Sequence, residues 1–217
     1  MNLSLKSGLL AAALAVISVS LPVSAATELA VGRDYVPIVP AQQTDDAGKI
    51  EVLEFFSYGC PHCNDFNPII GKWSSALPGD VVFKRVPVTF GRPQWDSLAK
   101  LYYALEATGD LARLDGMIFN ALHKSGDRLY DEQSITDWVA AHGVDKKKFS
   151  ETYQSFGVNS KVKRADQMVQ AYKVSGVPAM TVDGKYLVTG KELAGLQDVP
   201  GLTDRVIDKV RGERKKK

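Results

Sequence analysis

The sequence predicts an α/β protein in which an all-helical block interrupts a β-containing part. Three observations carry this. Two β-rich apolar runs, IEVLEFF and VVFKRVPVTF, lie in the first half, a middle region has helical periodicity, and two further β-rich runs flank Asp183-Gly184 near the end.

The 217-residue chain opens with one early charge, Lys6, an apolar run from about Gly8 to Val23 broken by Pro22, and the small residues of Val23-Ser24-Ala25. These are the parts of a signal peptide, residues 1–25, with cleavage expected after Ala25 or Ala26; the run is short for a membrane span. After an extended piece from Tyr35 to Val39 and a loop at PAQQTDDAG, KIEVLEFFS reads as a strand buried on both faces, despite Glu51 and Glu54. Cys60-Pro61 then opens a helix, because proline at the first helical position presets φ and gives up a donor that has no partner there. Pro68 is expected to bend this helix. Residues 81–90 form the next β-rich segment, followed by a loop at GRP.

Leu98, Leu101, Tyr102 and Leu105 mark one helix closed by Gly109, and Leu111, Leu114, Ile118 and Leu122 mark another before Gly126. Ser134 is expected to cap ITDWVAAHG and Asp145 to cap KKKFSETYQSF. Val162, Ala165, Val169 and Tyr172 mark a further helix ending before Gly176. Asp183-Gly184 signals an antiparallel hairpin, and a last helix runs from about Gly201 to Arg211. The expected division is residues 26–92 and 161–211 for the two β-containing parts, 93–160 for the helical block and 212–217 for a solvated basic tail.

The chain carries 27 basic and 25 acidic side chains, and loss of Lys6 with the signal peptide lowers the net charge from +2 to +1. Five of the basic groups sit in the terminal RGERKKK and not on a face with interleaved aromatics, so a nucleic-acid role is not supported. The two cysteines cannot build a disulfide framework, and the core must rest on apolar burial.

Those cysteines, Cys60 and Cys63, are three residues apart at a helix start. That spacing puts both sulfurs on one side, within disulfide reach, yet the loop is so short that a bridge gains little as a staple. Cys60 meets free amides and the positive end of the helix dipole, and His62 adds a donor and a potential charge, so its thiolate is favoured. Cys63, one turn inside, lacks those amides. Cys60 is therefore the attacked sulfur and Cys63 the resolving one. A structural zinc site would need four ligands, and only His123 and His142 remain, both read as ordinary surface histidines; no metal site is expected. Glu54 has two readings: a desolvated acid among Val52, Phe55 and Phe56 that accepts the Cys63 proton, or an exposed edge-strand acid. Pro178 in Ser175-Gly176-Val177-Pro178-Ala179 precedes a strand, where its peptide bond can be cis or trans.

The stretch Glu54-Phe55-Phe56-Ser57-Tyr58-Gly59-Cys60-Pro61-His62-Cys63, the later Gly176-Val177-Pro178 and the helical block between them resemble the DsbA family of periplasmic thiol:disulfide oxidoreductases. The resemblance implies a thioredoxin fold with an inserted all-helical domain, catalytic roles for Cys60, Pro61, His62, Cys63 and Glu54, and a strongly acidic Cys60. It implies that Glu54 is the buried acid under Cys63, and that Val177-Pro178 is cis, packs against the disulfide and binds substrate, with Val177 pairing its backbone to an extended chain. A lysine near the buried acid in the family has no single match, since Lys84 and Arg85 both qualify. It further implies a periplasmic, monomeric enzyme with no cofactor beyond the Cys60–Cys63 disulfide. Its clients would be newly exported cysteine-containing proteins, and a DsbB-like membrane quinone reductase would restore its disulfide. The alternatives are a disulfide isomerase or reductase of the same compartment, and a non-redox peptide-binding chaperone. The isomerase reading is weakened because only 34 residues separate Ala25 from Cys60, which leaves little room for an N-terminal dimerisation domain.

Overall fold

The computed structural model describes residues 28–216, so the expected signal peptide, residues 1–25, lies outside the described residues. Five strands form one mixed sheet: β1 Tyr35–Pro37, β2 Ile50–Phe56, β3 Val81–Pro87, β4 Ala179–Val182 and β5 Tyr186–Val188, in the order β1-β5-β4-β2-β3. Among these five strands of the described residues only the pair β2 and β3 runs parallel, joined by a crossover through helix α1, Pro61–Ser75. Pro68 sits inside α1, which continues for another two turns to Ser75. Between β3 and β4 lie α2 Pro93–Thr108, α3 Leu111–Asn120, α4 Glu132–Ala141, α5 Lys146–Tyr153 and α6 Phe156–Ala171, and α7 Val199–Arg214 closes the described chain.

Every residue of β2 is buried, as a central strand covered on both faces requires. Alternation along it splits the core. Ile50 and Val52 pack with Phe66 and Ile70 of α1 and Val206 and Val210 of α7. Leu53 and Phe55 join the larger cluster that continues through Leu101 and Leu105 of α2, Ile118 of α3 and Val162 of α6. The helical block thus shares a core with one face of the sheet, and α6 runs without a break through position 160, where the sequence places the end of that block.

Four sequence expectations are corrected. Asp131, not Ser134, caps α4: its side chain accepts from the Ser134 N–H at 2.9 Å, and Ser134 serves as the third helical residue of a reciprocal capping box. KKKFSETYQSF is not one helix, because Ser155 accepts from the Val158 N–H and starts α6, leaving α5 to end at Tyr153. The last helix extends to Arg214, which binds Asp183 and the carbonyls of Ala47 and Lys49, so the expected solvated tail at 212–217 is partly docked. The reason is charge pairing across distant segments: the carboxylate of Asp183 is almost fully buried, and Arg214 neutralises it there. His123 is not an ordinary surface residue, as shown below.

The Asp183-Gly184 turn forms as expected, with both residues at positive φ. A Cβ on Gly184 would lie 2.1 Å from the Gln42 carbonyl oxygen, where the loop after β1 docks on the turn. Gly184→Ala combines this overlap with a left-handed backbone and is expected to destabilise the protein by about 2–3 kcal/mol. Urea unfolding would show it as a lower midpoint at constant slope, and an unchanged midpoint would refute the argument.

Candidate active site

The edge of the sheet at the carboxyl end of β2 gathers the chemistry. Cys60 is the N-cap of α1 and Pro61 its first residue, as the sequence predicts. The Cys60 side chain is 6% exposed and Cys63 is fully buried, while Pro61 and His62 lie at the surface. Both cysteines are free thiols, and Cys60 Sγ donates to the Val177 carbonyl at 3.5 Å. The Val177-Pro178 bond is cis, as is Val39-Pro40. Pairing of β4 with β2, Ala179 opposite Phe55, is what brings residue 177 to the sulfur across 117 positions of sequence.

The two thiols differ sharply. The Cys63 S–H donates to the Cys60 sulfur, the first-turn amides of Cys63 and His62 face it, and His62 adds a favourable field; together these overcome burial and lower the Cys60 pKa from 9.0 to about 6. Burial pushes the Cys63 thiol far up, and the proton it shares with Cys60 and the charge of Glu54 push it further.

Glu54 shares the face of Ile50 and Val52, beneath α1, and is wholly inaccessible. Burial raises its pKa against the pull of Arg85. Arg85, its register partner on β3, donates from Nε to Glu54 Oε2 at 2.6 Å. This decides between the two candidate cations: neighbouring residues of a strand point to opposite faces, so Lys84 goes with Glu51 and Asp45 while Arg85 goes with Glu54. Arg85 is also stacked on the Phe56 ring at 3.8 Å and donates to Asp115 of α3, whose carboxylate accepts from the Tyr58 hydroxyl at 2.6 Å.

Asp115, Tyr58 and His123 escaped the sequence reading. His123 lies in a π-helical turn, Ala121–Ser125, that continues α3, and its Nε2 donates to the Tyr58 carbonyl at 2.7 Å. The helical block therefore holds the turn before Cys60 by two points, one on the Tyr58 hydroxyl and one on its backbone. The signal was present as Asp115, Phe119 and His123 at i, i+4, i+8, a stripe beside the apolar one of Leu114, Ile118 and Leu122. Gly59 completes the turn; a Cβ there would stand 2.7 Å from Trp95 Nε1.

An acidic thiol at a helix start, a buried partner thiol one turn on and a cis-proline facing them across a mixed sheet define a thioredoxin-fold dithiol–disulfide oxidoreductase. Known proteins narrow the class. The family model of the DSBA-like thioredoxin domain matches residues 51–206. The thiol:disulfide interchange protein DsbA of Pseudomonas syringae pv. tomato is 38% identical over 214 residues, 99% of this chain and 98% of its own. That of Bordetella bronchiseptica is 41% identical over 187 residues, 86% of this chain and 87% of its own. The crystal structure of Pseudomonas aeruginosa DsbA superposes with a TM-score of 0.80 at 38% identity, covering 85% of this chain and 95% of that one. The oxidoreductase DsbA of Xylella fastidiosa gives 0.79 at 31% identity, covering 85% and 98%. The chain belongs to the DsbA family, and it is a thiol:disulfide oxidoreductase.

Proposed function

We propose that the enzyme works as an oxidase of newly exported proteins in the periplasm. It is monomeric and uses no cofactor beyond the Cys60–Cys63 disulfide. A substrate thiolate attacks Cys60 Sγ, the Cys60–Cys63 bond breaks, and Cys63 leaves as a thiolate that Glu54 protonates. A second substrate thiolate then attacks the substrate sulfur of the mixed disulfide, and Cys60 leaves as its stabilised thiolate. Two electrons have passed from substrate to enzyme, and a DsbB-like membrane quinone reductase passes them on.

The observation that carries the direction is the depressed Cys60 pKa, since a stabilised reduced form makes the disulfide a stronger electron acceptor. The cis Val177-Pro178 segment beside Cys60 supports a role in aligning an extended substrate chain. A groove of about 510 Å³ next to Pro178, lined by Phe66, Met180, Leu187, Leu193 and Leu196, supports apolar docking of client or membrane partner.

Titration of the thiolate absorbance of the reduced protein tests the reading: Cys60 should ionise near pH 6. An ordinary value near about 8.5 would remove the basis for the oxidase. Mixing the oxidised enzyme with a reduced dithiol peptide should transfer one disulfide per enzyme. A Cys60→Ser, Cys63→Ser double variant should be inert in cells; retained activity would favour the chaperone, and a stable dimer in sedimentation the isomerase.

A further inference from the structure

Arginine grips a carboxylate best through the shared edge of Nε and Nη2, one N–H to each oxygen. At the Glu54–Arg85 pair only half of that grip is made. Nε reaches Glu54 Oε2, but Arg85 Nη2 and Glu54 Oε1 are both buried and have no partner among the described residues. The third nitrogen accounts for the offset: Nη1 donates to both oxygens of Asp115, at 3.1 and 2.9 Å, and Asp115 is fixed in turn by the Tyr58 hydroxyl. The Phe56 ring under the guanidinium keeps the group in its plane. A buried acceptor left without a hydrogen bond is destabilising, which invites a functional reason for keeping one open.

We propose that Asp115, contributed by the helical block, is a positioning residue: by holding Arg85 through Nη1 it keeps Glu54 Oε1 unpaired to take the Cys63 proton. This rests on the reading of Glu54 as the proton partner of Cys63. In a mixed disulfide at Cys60, the Cys63 S–H gives its proton to Oε1 while its sulfur attacks Cys60 Sγ. The Cys60–Cys63 bond forms, the bond to the substrate sulfur breaks, and the substrate leaves as a thiolate. In the oxidising direction the same proton returns to Cys63. The charged and titratable groups around Glu54 are Arg85 from β3, Asp115 from α3, and Cys60 and Cys63 at the start of α1, with the phenols of Tyr58 and Tyr102 acting through Arg85. On the β4 side its register partner is Met180, which carries no charge.

The test uses the Cys60 mixed disulfide with glutathione, prepared in acid, jumped to a series of higher pH values, with release of glutathione followed in time. The native rate should fall on the acid side as Glu54 gains its proton. In Asp115→Asn the neutral amide no longer holds Arg85, the Nε–Nη2 edge closes on both Glu54 oxygens, and the acid limb should move to lower pH by about one unit. The plateau rate should drop roughly threefold with the weaker base. Asp115→Glu, which keeps the anion, should leave the limb near its native place. Tyr58→Phe, which strips Asp115 of a donor and leaves it a fuller charge, should move the limb upward, and it carries the test if Asp115→Asn does not fold. Glu54→Gln separates the two ideas. If it leaves the limb in place, Glu54 is not the proton partner and the underlying reading fails. If it abolishes the limb while Asp115→Asn lowers stability without moving it, Asp115 is only structural and the present proposal is overturned.

Discussion

Cys63→Ala is expected to convert the enzyme into a trap that accumulates mixed disulfides through Cys60 and oxidises no dithiol substrate, a loss of at least about 10³-fold. Two sulfurs are needed to store two oxidising equivalents. With Cys63 gone, the Cys60 thiolate still attacks disulfides in client proteins, releasing one client thiol, but nothing next to it can resolve the adduct. The same substitution removes the largest influence that lowers the Cys60 pKa, the Cys63 S–H directed at its sulfur. Cys60 should therefore titrate above about 6 yet below 9.0, because the amides of the first turn and His62 remain. Non-reducing gels and mass spectrometry of captured adducts read the first effect, thiolate absorbance the second. The reciprocal Cys60→Ala variant should capture nothing, since Cys63 is fully buried and held protonated. Adducts on Cys63, or equal capture by both variants, would overturn the assignment of roles.

The second large effect is a pH-dependent gap in stability between reduced and oxidised protein. Cys60 has a pKa depressed from 9.0 to about 6 in the folded reduced state, so folding favours its thiolate. That contribution is complete above the unfolded value, declines as pH falls, and is gone once pH drops below the folded value. Three units correspond to about 4 kcal/mol at the alkaline end and about 1.4 kcal/mol at neutral pH. The oxidised protein has no thiol to ionise there, and groups such as Glu54, common to both forms, largely cancel in the difference. Urea unfolding of the two forms between pH 6 and 9 should therefore show the reduced form gaining on the oxidised one as pH rises. Above that window Cys63 works the other way, because its folded pKa is raised and the unfolded chain gains by ionising it. A gap that stays flat across the window would sink the argument.

Asp131 and Ser134 show why one class of expectation slipped. Both residue types cap helices, and three positions separate the N-cap from its partner in a capping box, so Ser134 passed for the start of a helix that Asp131 opens. Lys84 and Arg85 were a similar pair of equals, and only the register of β3 on β2 separated them. The basic tail read as solvated because its partners, Asp183 and the carbonyls of Ala47 and Lys49, lie 31, 167 and 165 positions away.

Features written in local chemistry were legible from the residues: the buried strand Ile50–Phe56, the Asp183-Gly184 hairpin, and a helix opened by Pro61 that sets Cys60 apart from Cys63. These depend on periodicity, φ preference and helix-end electrostatics, which act within a few residues. The tertiary structure alone decided how that helix start is held: the half-made pairing of Glu54 with Arg85 and the hold of Asp115 and His123 on Tyr58 join segments dozens of residues apart. Burial of Glu54 and the placing of Val177 against Cys60 also join distant segments, and only the family resemblance anticipated them. A carboxylate's proton affinity is set by its distance to charges and to water, and those distances exist only after β2, β3 and α3 have packed.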